Sequence, residues 1–203
     1  MNWHLFTAFL AITIIVLLTP GPIVTLLIAT GASRGVRAAL TTVAGTTAGS
    51  AVLVAAIAFG LGFILSHAAE VFEILRWAGA AYLVFLGIKA WRGAGRPDPL
   101  PVSGQVHFRR GFLVAVSNPK SIAFFTAFLP QFVDPSLPAA PQLVVMCVVS
   151  LVLGCLTDIS WAVAAGFGHR WLMQPLRAKI LGRVTGLTLI GGGLWLSLAR
   201  RPV

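Results

Sequence analysis

Three stretches place chemistry-bearing residues where apolar surroundings do not normally tolerate them. Thr19-Pro20-Gly21-Pro22 interrupts an apolar run that reads HLFTAFLAITIIVLL before it and IVTLLIA after it. Asn118-Pro119-Lys120 interrupts a comparable run in the other half of the chain, and Asp158 stands alone inside a third. Prolines and a glycine free backbone N–H and C=O groups from the helical ladder. In hydrocarbon those groups must find a partner or line a cavity, and transporters use such broken helices as binding sites near the bilayer midplane. A passive kink is the simpler reading of Thr19-Pro20-Gly21-Pro22, but two prolines flanking a glycine exceed what a kink needs. Lys120 offers an ammonium that anchors a solute carboxylate or pairs with Asp158. Asp158 offers a protonatable carboxylate that couples transport to a proton gradient, or else a structural ion pair with Lys120.

These residues need elements to position them, and the composition says which. The 203 residues are 58% hydrophobic and only 10% charged, with a mean hydropathy of +0.93. A soluble domain carries about 25% charged residues, so the expected fold is all-α and polytopic, embedded in a lipid bilayer. A span takes roughly 20 apolar residues, which gives six transmembrane helices: about 3–29, 38–65, 71–91, 111–133, 143–168 and 184–199. The sixth is the shortest and is interrupted by Gly191-Gly192-Gly193. No basic leader or cleavage motif precedes the first.

Orientation follows from Lys and Arg. Eleven of them (Arg34 and Arg37; Lys89, Arg92, Arg96, Arg109 and Arg110; Arg170, Arg177, Lys179 and Arg183) fall on one side, and three (Arg76, Arg200, Arg201) on the other. The richer side is cytoplasmic by the positive-inside rule, which puts both termini outside. Three spans, a linker and three more spans make two inverted repeats the expectation: residues 1–91 and 109–203, joined by a cytoplasmic linker, 92–108. The +10 charge belongs to these loops, so no nucleic-acid partner is expected.

Helical rise then sets depth. Lys120 lies ten residues past Arg110, and Asp158 eleven before His169, which brings each about 15 Å below the cytoplasmic surface. Pro20 reaches a slightly deeper level from Arg34. All three arrive near the middle of a core about 30 Å thick, where a charged group costs at least about 2.5–3.5 kcal/mol and marks function by default. Gly45 and Gly49, with Thr41, Thr42, Thr46 and Ser50 beside them, read as a close-packing face, although Thr46 also fits a pathway lining. Gln131 and Asp134 cap the outer end of the fourth span, and Gln131 is a further pathway candidate. Glu70, Glu73 and Arg76 read as an interfacial ion-pair turn.

Other chemistry finds little support. Gly31-Ala32-Ser33-Arg34-Gly35 matches the G-x-S-x-G nucleophile pattern, but that motif needs a strand-to-helix turn in a soluble sheet. A membrane enzyme would need a nucleophile and base at one depth. A cation exporter would want several intramembrane carboxylates or thiols beyond Asp158. Cys147 and Cys155 read as small hydrophobes, and no cofactor or metal is expected.

The chain resembles the LysE/RhtB family of bacterial amino-acid exporters over essentially its full length. The stretches that carry the resemblance are Thr19-Pro20-Gly21-Pro22; Gly79-Ala80-Ala81-Tyr82-Leu83 with Leu86-Gly87; Arg110-Gly111-Phe112; Asn118-Pro119-Lys120; and Phe128-Leu129-Pro130-Gln131-Phe132-Val133. The resemblance implies a secondary exporter of amino acids or related small zwitterions in the inner membrane, driven by proton antiport. Thr19, Pro20, Gly21, Pro22, Asn118, Pro119 and Lys120 would form the substrate site, and Asp158 would couple protons. The family pattern often carries an asparagine where this chain has Ile23, which favours a less polar ligand. A homo-oligomer is compatible with all of this.

Overall fold

The computed structural model describes residues 1–67, 69–94, 107–172 and 175–198. Among them are seven α-helices, one short 3-10 turn and no strand. The helices are α1 (Trp3–Leu18), α2 (Pro22–His67), α3 (Ala69–Arg92), α4 (His107–Val116), α5 (Pro119–Ala127), α6 (Ala139–Leu172) and α7 (Pro175–Leu198). The 3-10 turn, Leu129–Phe132, follows α5. The fold is that of an all-α polytopic membrane protein. Pro22–Gly60 and Ala139–Phe167 are each long and apolar enough to cross a bilayer, and the pair His107–Val116 and Pro119–Phe132, bent by 41°, makes a third such segment. Linker residues 95–106, Arg200 and Arg201 lie outside the described residues, as do the side chains of Glu70, Glu73 and Arg76.

The long α2 is a helical hairpin. Gly35 adopts φ 83° and ψ 174° in its middle, a left-handed φ that a Cβ would strain. Gly31 and Val36, on either side of the turn, both lie against Gly166 of α6. From there the arms run together along α6 toward Asp158, which the first reaches at its start, Ile23 and Val24, and the second at Thr46 before continuing to His67. Leu27 from one arm and Ala39 and Val43 from the other share a buried cluster with Ala162. The G-x-S-x-G pattern is therefore the closing turn of a hairpin, with Ser33 donating to the carbonyl of Ala29 at 2.7 Å.

Glycines set the other helix contacts, as small residues do where lipid removes the hydrophobic drive for helix association. A Cβ on Gly45 or Gly49 would strike the backbone carbonyl of Phe108 or Phe112, and one on Gly111 would strike that of Thr42. The second arm of α2 and α4 thus run in the same direction. Gly87 faces Gly186, while Gly193 sits against Ala80 and Gly182 against Ala94, so α3 and α7 run in opposite directions. The last helix begins at Pro175 and has 24 residues, so it extends beyond the 16-residue sixth span read from the sequence. Arg183, which the charge count places in a loop, lies within the helix, its guanidinium 5.5 Å from the Trp91 ring.

The main core gathers around α5 and the 3-10 turn, where Phe124, Phe128, Leu129 and Phe132 are buried with Phe9 and Leu196. Phe132 packs edge-on to Phe9, centroids 5.6 Å apart, and Phe128 stacks on Trp195 at 5.4 Å. At the same end Asn2 Nδ2 donates to Asp134 Oδ2 at 3.0 Å, which ties the start of α1 to the second half.

Candidate functional site

The two breaks read from the sequence meet in space. α1 stops at Leu18 because Thr19 turns extended (φ −71°, ψ 120°) ahead of Pro20. A helix end leaves its last carbonyls without intrahelical donors. Lys120 supplies the carbonyl of Thr19 and adds a second donor to that of Val16, which also accepts from the Thr19 N–H, with Nζ donating to each carbonyl at 2.6 Å. The ammonium also sits at the negative end of the α1 dipole. The next carbonyl, of Pro20, accepts from Thr185 Oγ1 of α7 at 2.9 Å. Side chains from α5 and α7 therefore close the Thr19-Pro20-Gly21-Pro22 break.

Asn118 builds the other break. Its side chain is the N-cap of α5, accepting from the backbone N–H of Lys120 at 3.1 Å, and its Nδ2 donates to Ser121 Oγ at 2.9 Å. Pro119 at the first helical position needs no N–H partner. This cap aims the first turn of α5, and with it Lys120, at the end of α1. Asn118 is itself only 4% exposed, so its amide shapes the helix start.

Lys120 is held without Asp158. An ammonium in the membrane costs at least about 2.5–3.5 kcal/mol. Two charge-assisted hydrogen bonds at about 1.5–3 kcal/mol each offset that cost. A lysine has three donors; two are committed to α1 and one remains. No direct ion pair joins Lys120 to Asp158 among the described residues.

Asp158 instead meets Thr46, whose Oγ1 lies 2.8 Å from Asp158 Oδ2 and 3.0 Å from the carbonyl of Val43. One hydroxyl proton serves one acceptor at a time. Thr46 donates to the ionised carboxylate; a protonated carboxyl would donate to Thr46, whose own proton would turn to Val43.

Lys120 and Asp158 line one cavity of about 60 Å³, with Thr13, Gly21, Asn118 and Ser121 as its other polar or small members. That is room for a few waters. Its apolar wall is Val16, Leu17, Ile23, Val24, Phe124 and Phe125. A second cavity of about 10 Å³ lies between Lys120 and α7, bounded by Thr188 and Gly192. Lys120 is thus in the wall between them.

The residues expected to act together divide as follows. Gly21, Asn118, Lys120 and Asp158 line the cavity, and Thr19 contributes through its carbonyl to Lys120. Pro20 is engaged by Thr185, while Pro22 and Pro119 start helices. Thr46 contacts Asp158. Gln131 is buried in the 3-10 turn with its Nε2 lacking a hydrogen-bond partner, and it is not among the cavity residues. Sequence reading missed Thr13, Thr185 and the apolar pair Phe124 and Phe125. Their residue types are ordinary in apolar helices, and only their placement distinguishes them.

An all-helical membrane protein in which two broken helices and an unbroken one line a cavity with a lysine and an aspartate has features that membrane translocators use. The chain is a member of the LysE type translocator family, whose model matches residues 14–200. It is 33% identical to the homoserine/homoserine lactone efflux protein of Salmonella typhimurium, over 98% of this chain and 99% of that protein. It is 36% identical to an uncharacterized membrane protein of Pseudomonas aeruginosa, over 92% and 91%. It is 25% identical to the leucine efflux protein of Salmonella choleraesuis, over 88% and 87%. No solved structure matches.

Proposed function

We propose that this protein exports amino acids or related small zwitterions across the bacterial inner membrane in exchange for protons. The observation that carries the reading is the cavity in which Lys120 and Asp158 face a common space with no direct ion pair between them. The remaining N–H of Lys120 binds the solute carboxylate. Ionised Asp158 binds the solute ammonium while Thr46 steadies its Oδ2. A proton arriving on Asp158 removes that attraction and frees the solute; loss of the proton restores the site. One proton then enters for each zwitterion that leaves. The efflux names of two relatives support the direction and the solute class.

The reading includes six spans in two inverted three-helix repeats, 1–91 and 109–203, with both termini periplasmic. Its support is the hairpin at Gly35 and the mutual directions of α2, α3, α4, α6 and α7 along their glycine contacts. Each repeat opens with a broken helix, at Thr19-Pro20-Gly21-Pro22 and at Asn118.

The test is uptake of a radiolabelled panel, homoserine and leucine included, by inside-out vesicles with an imposed proton gradient. Gradient-dependent uptake is expected. Uptake of no amino acid, or of a metal cation instead, would refute the reading.

A further inference from the structure

Helical Ser and Thr side chains in a membrane satisfy themselves by bonding back to a carbonyl three or four residues earlier. This chain follows that habit closely. Thr42 donates to Ala38, Ser150 to Met146, Thr157 to Leu153 and Thr188 to Val184. Thr13 does not. It is 1% exposed, its Oγ1 has no hydrogen-bond partner, and it lines the cavity shared by Lys120 and Asp158. A buried hydroxyl without a partner is costly in apolar surroundings. Thr47 Oγ1 and Gln131 Nε2 also lack partners, but neither residue lines that cavity.

We infer that the Thr13 hydroxyl reads a polar atom at the far end of the substrate side chain. The inference rests on the export reading and adds a specificity-determining residue to it. Helical geometry decides which part of the ligand Thr13 meets. Thr13 precedes Val16 and Thr19, whose carbonyls both hold Lys120, by three and six residues, or about 4.5 and 9 Å along α1. Thr13 therefore meets a ligand farther back along α1 than Lys120 does. That placement matches a ligand whose carboxylate lies at Lys120 and whose short side chain extends along α1. Leu17, Val24, Phe124 and Phe125 give that side chain an apolar sleeve, and Thr13 is the hydroxyl beside it. The substrate class is an α-amino acid with a short, mostly apolar side chain that ends in a hydrogen-bonding group.

The experiment uses L-homoserine and L-norvaline, which differ by a hydroxyl in place of a methyl, as labelled solutes in inside-out vesicles. Wild type is run beside Thr13→Val, which keeps the side-chain shape, and Thr13→Ser, which keeps the hydroxyl. Thermal melting in detergent confirms that each variant is folded. Wild type is expected to prefer homoserine. Thr13→Val should reduce that preference roughly two- to tenfold, the worth of one neutral hydrogen bond, chiefly through KM, and Thr13→Ser should retain it. An equal fall for both solutes would overturn the inference, since Thr13 would then hold a water or pack the site. An unchanged preference would overturn it as well. If wild type moved no amino acid, the export reading would fall, and this inference with it.

Discussion

The ammonium of Lys120 lies 2.6 Å from the carbonyl of Thr19, a residue 101 positions earlier in the chain. The break in the second half of the protein thus caps the break in the first. The lysine has two duties at one place, since it completes the end of α1 and keeps one donor for a ligand.

Removing the lysine should therefore damage stability as well as transport. Lys120→Met leaves the carbonyl of Thr19 without its donor, at about 1–3 kcal/mol, and that of Val16 with only the Thr19 N–H at 3.2 Å. Transport is expected to vanish and the melting temperature in detergent to fall by several degrees. Loss of transport with unchanged melting would mean that Lys120 serves the ligand alone.

Thr185→Val removes the hydroxyl that holds the Pro20 carbonyl. The expected loss is about 1 kcal/mol of stability, with a larger effect on transport rate than on apparent affinity, because Thr185 braces the break from outside the cavity. Transport assays that yield KM and maximal rate separately check this. A change confined to KM would contradict it.

Gly21 is close to the lysine stem, where an added Cβ would sit 3.2 Å from Lys120 Cδ and 3.6 Å from its Nζ. Gly21→Ala should push Lys120 off its carbonyls by a few tenths of an ångström and raise KM, while expression persists. Gly45→Val is the contrast, since its Cβ meets the backbone of Phe108. That variant should fail to accumulate in the membrane. Quantitative blotting beside uptake separates the two outcomes.

How much of this was legible beforehand depended on whether residue type or placement carries the information. Thr19-Pro20-Gly21-Pro22, Asn118-Pro119-Lys120 and Asp158 were visible because breakers and charges are expensive in lipid. Gly45 and Gly49 were visible because their spacing marks a packing face. The acceptors of Lys120 were not, because Val16 and Thr19 receive it through main-chain oxygens that every residue type has. Thr13 was hidden because a helical threonine looks self-satisfied until its side-chain direction is known. That α7 is helical from Pro175 was hidden because Arg177, Lys179 and Arg183 resemble a loop when counted as charges.

The Asn2–Asp134 tie should depend on pH. The Ser136 hydroxyl, first, then the Ser136 backbone N–H and Asn2 hold the Asp134 carboxyl below its ordinary value. A carboxyl whose folded value is depressed adds stability that is complete above its unfolded value, about 4. That stability fades as pH falls through the folded value. The difference in detergent melting between wild type and Asp134→Asn should be largest near neutrality and shrink below about pH 4. A difference constant with pH would show that Asp134 acts without its charge.

The central claim is that Asp158 exchanges its proton for the solute within the cavity it shares with Lys120. Its most direct test reconstitutes purified protein in liposomes holding a pH-sensitive dye and measures proton movement on addition of a transported amino acid, for wild type and Asp158→Asn. The account predicts a proton flux opposite to the solute in wild type. In Asp158→Asn that flux should be absent while the protein remains folded. Solute movement without proton movement in wild type, or proton-coupled movement that survives in Asp158→Asn, would contradict it.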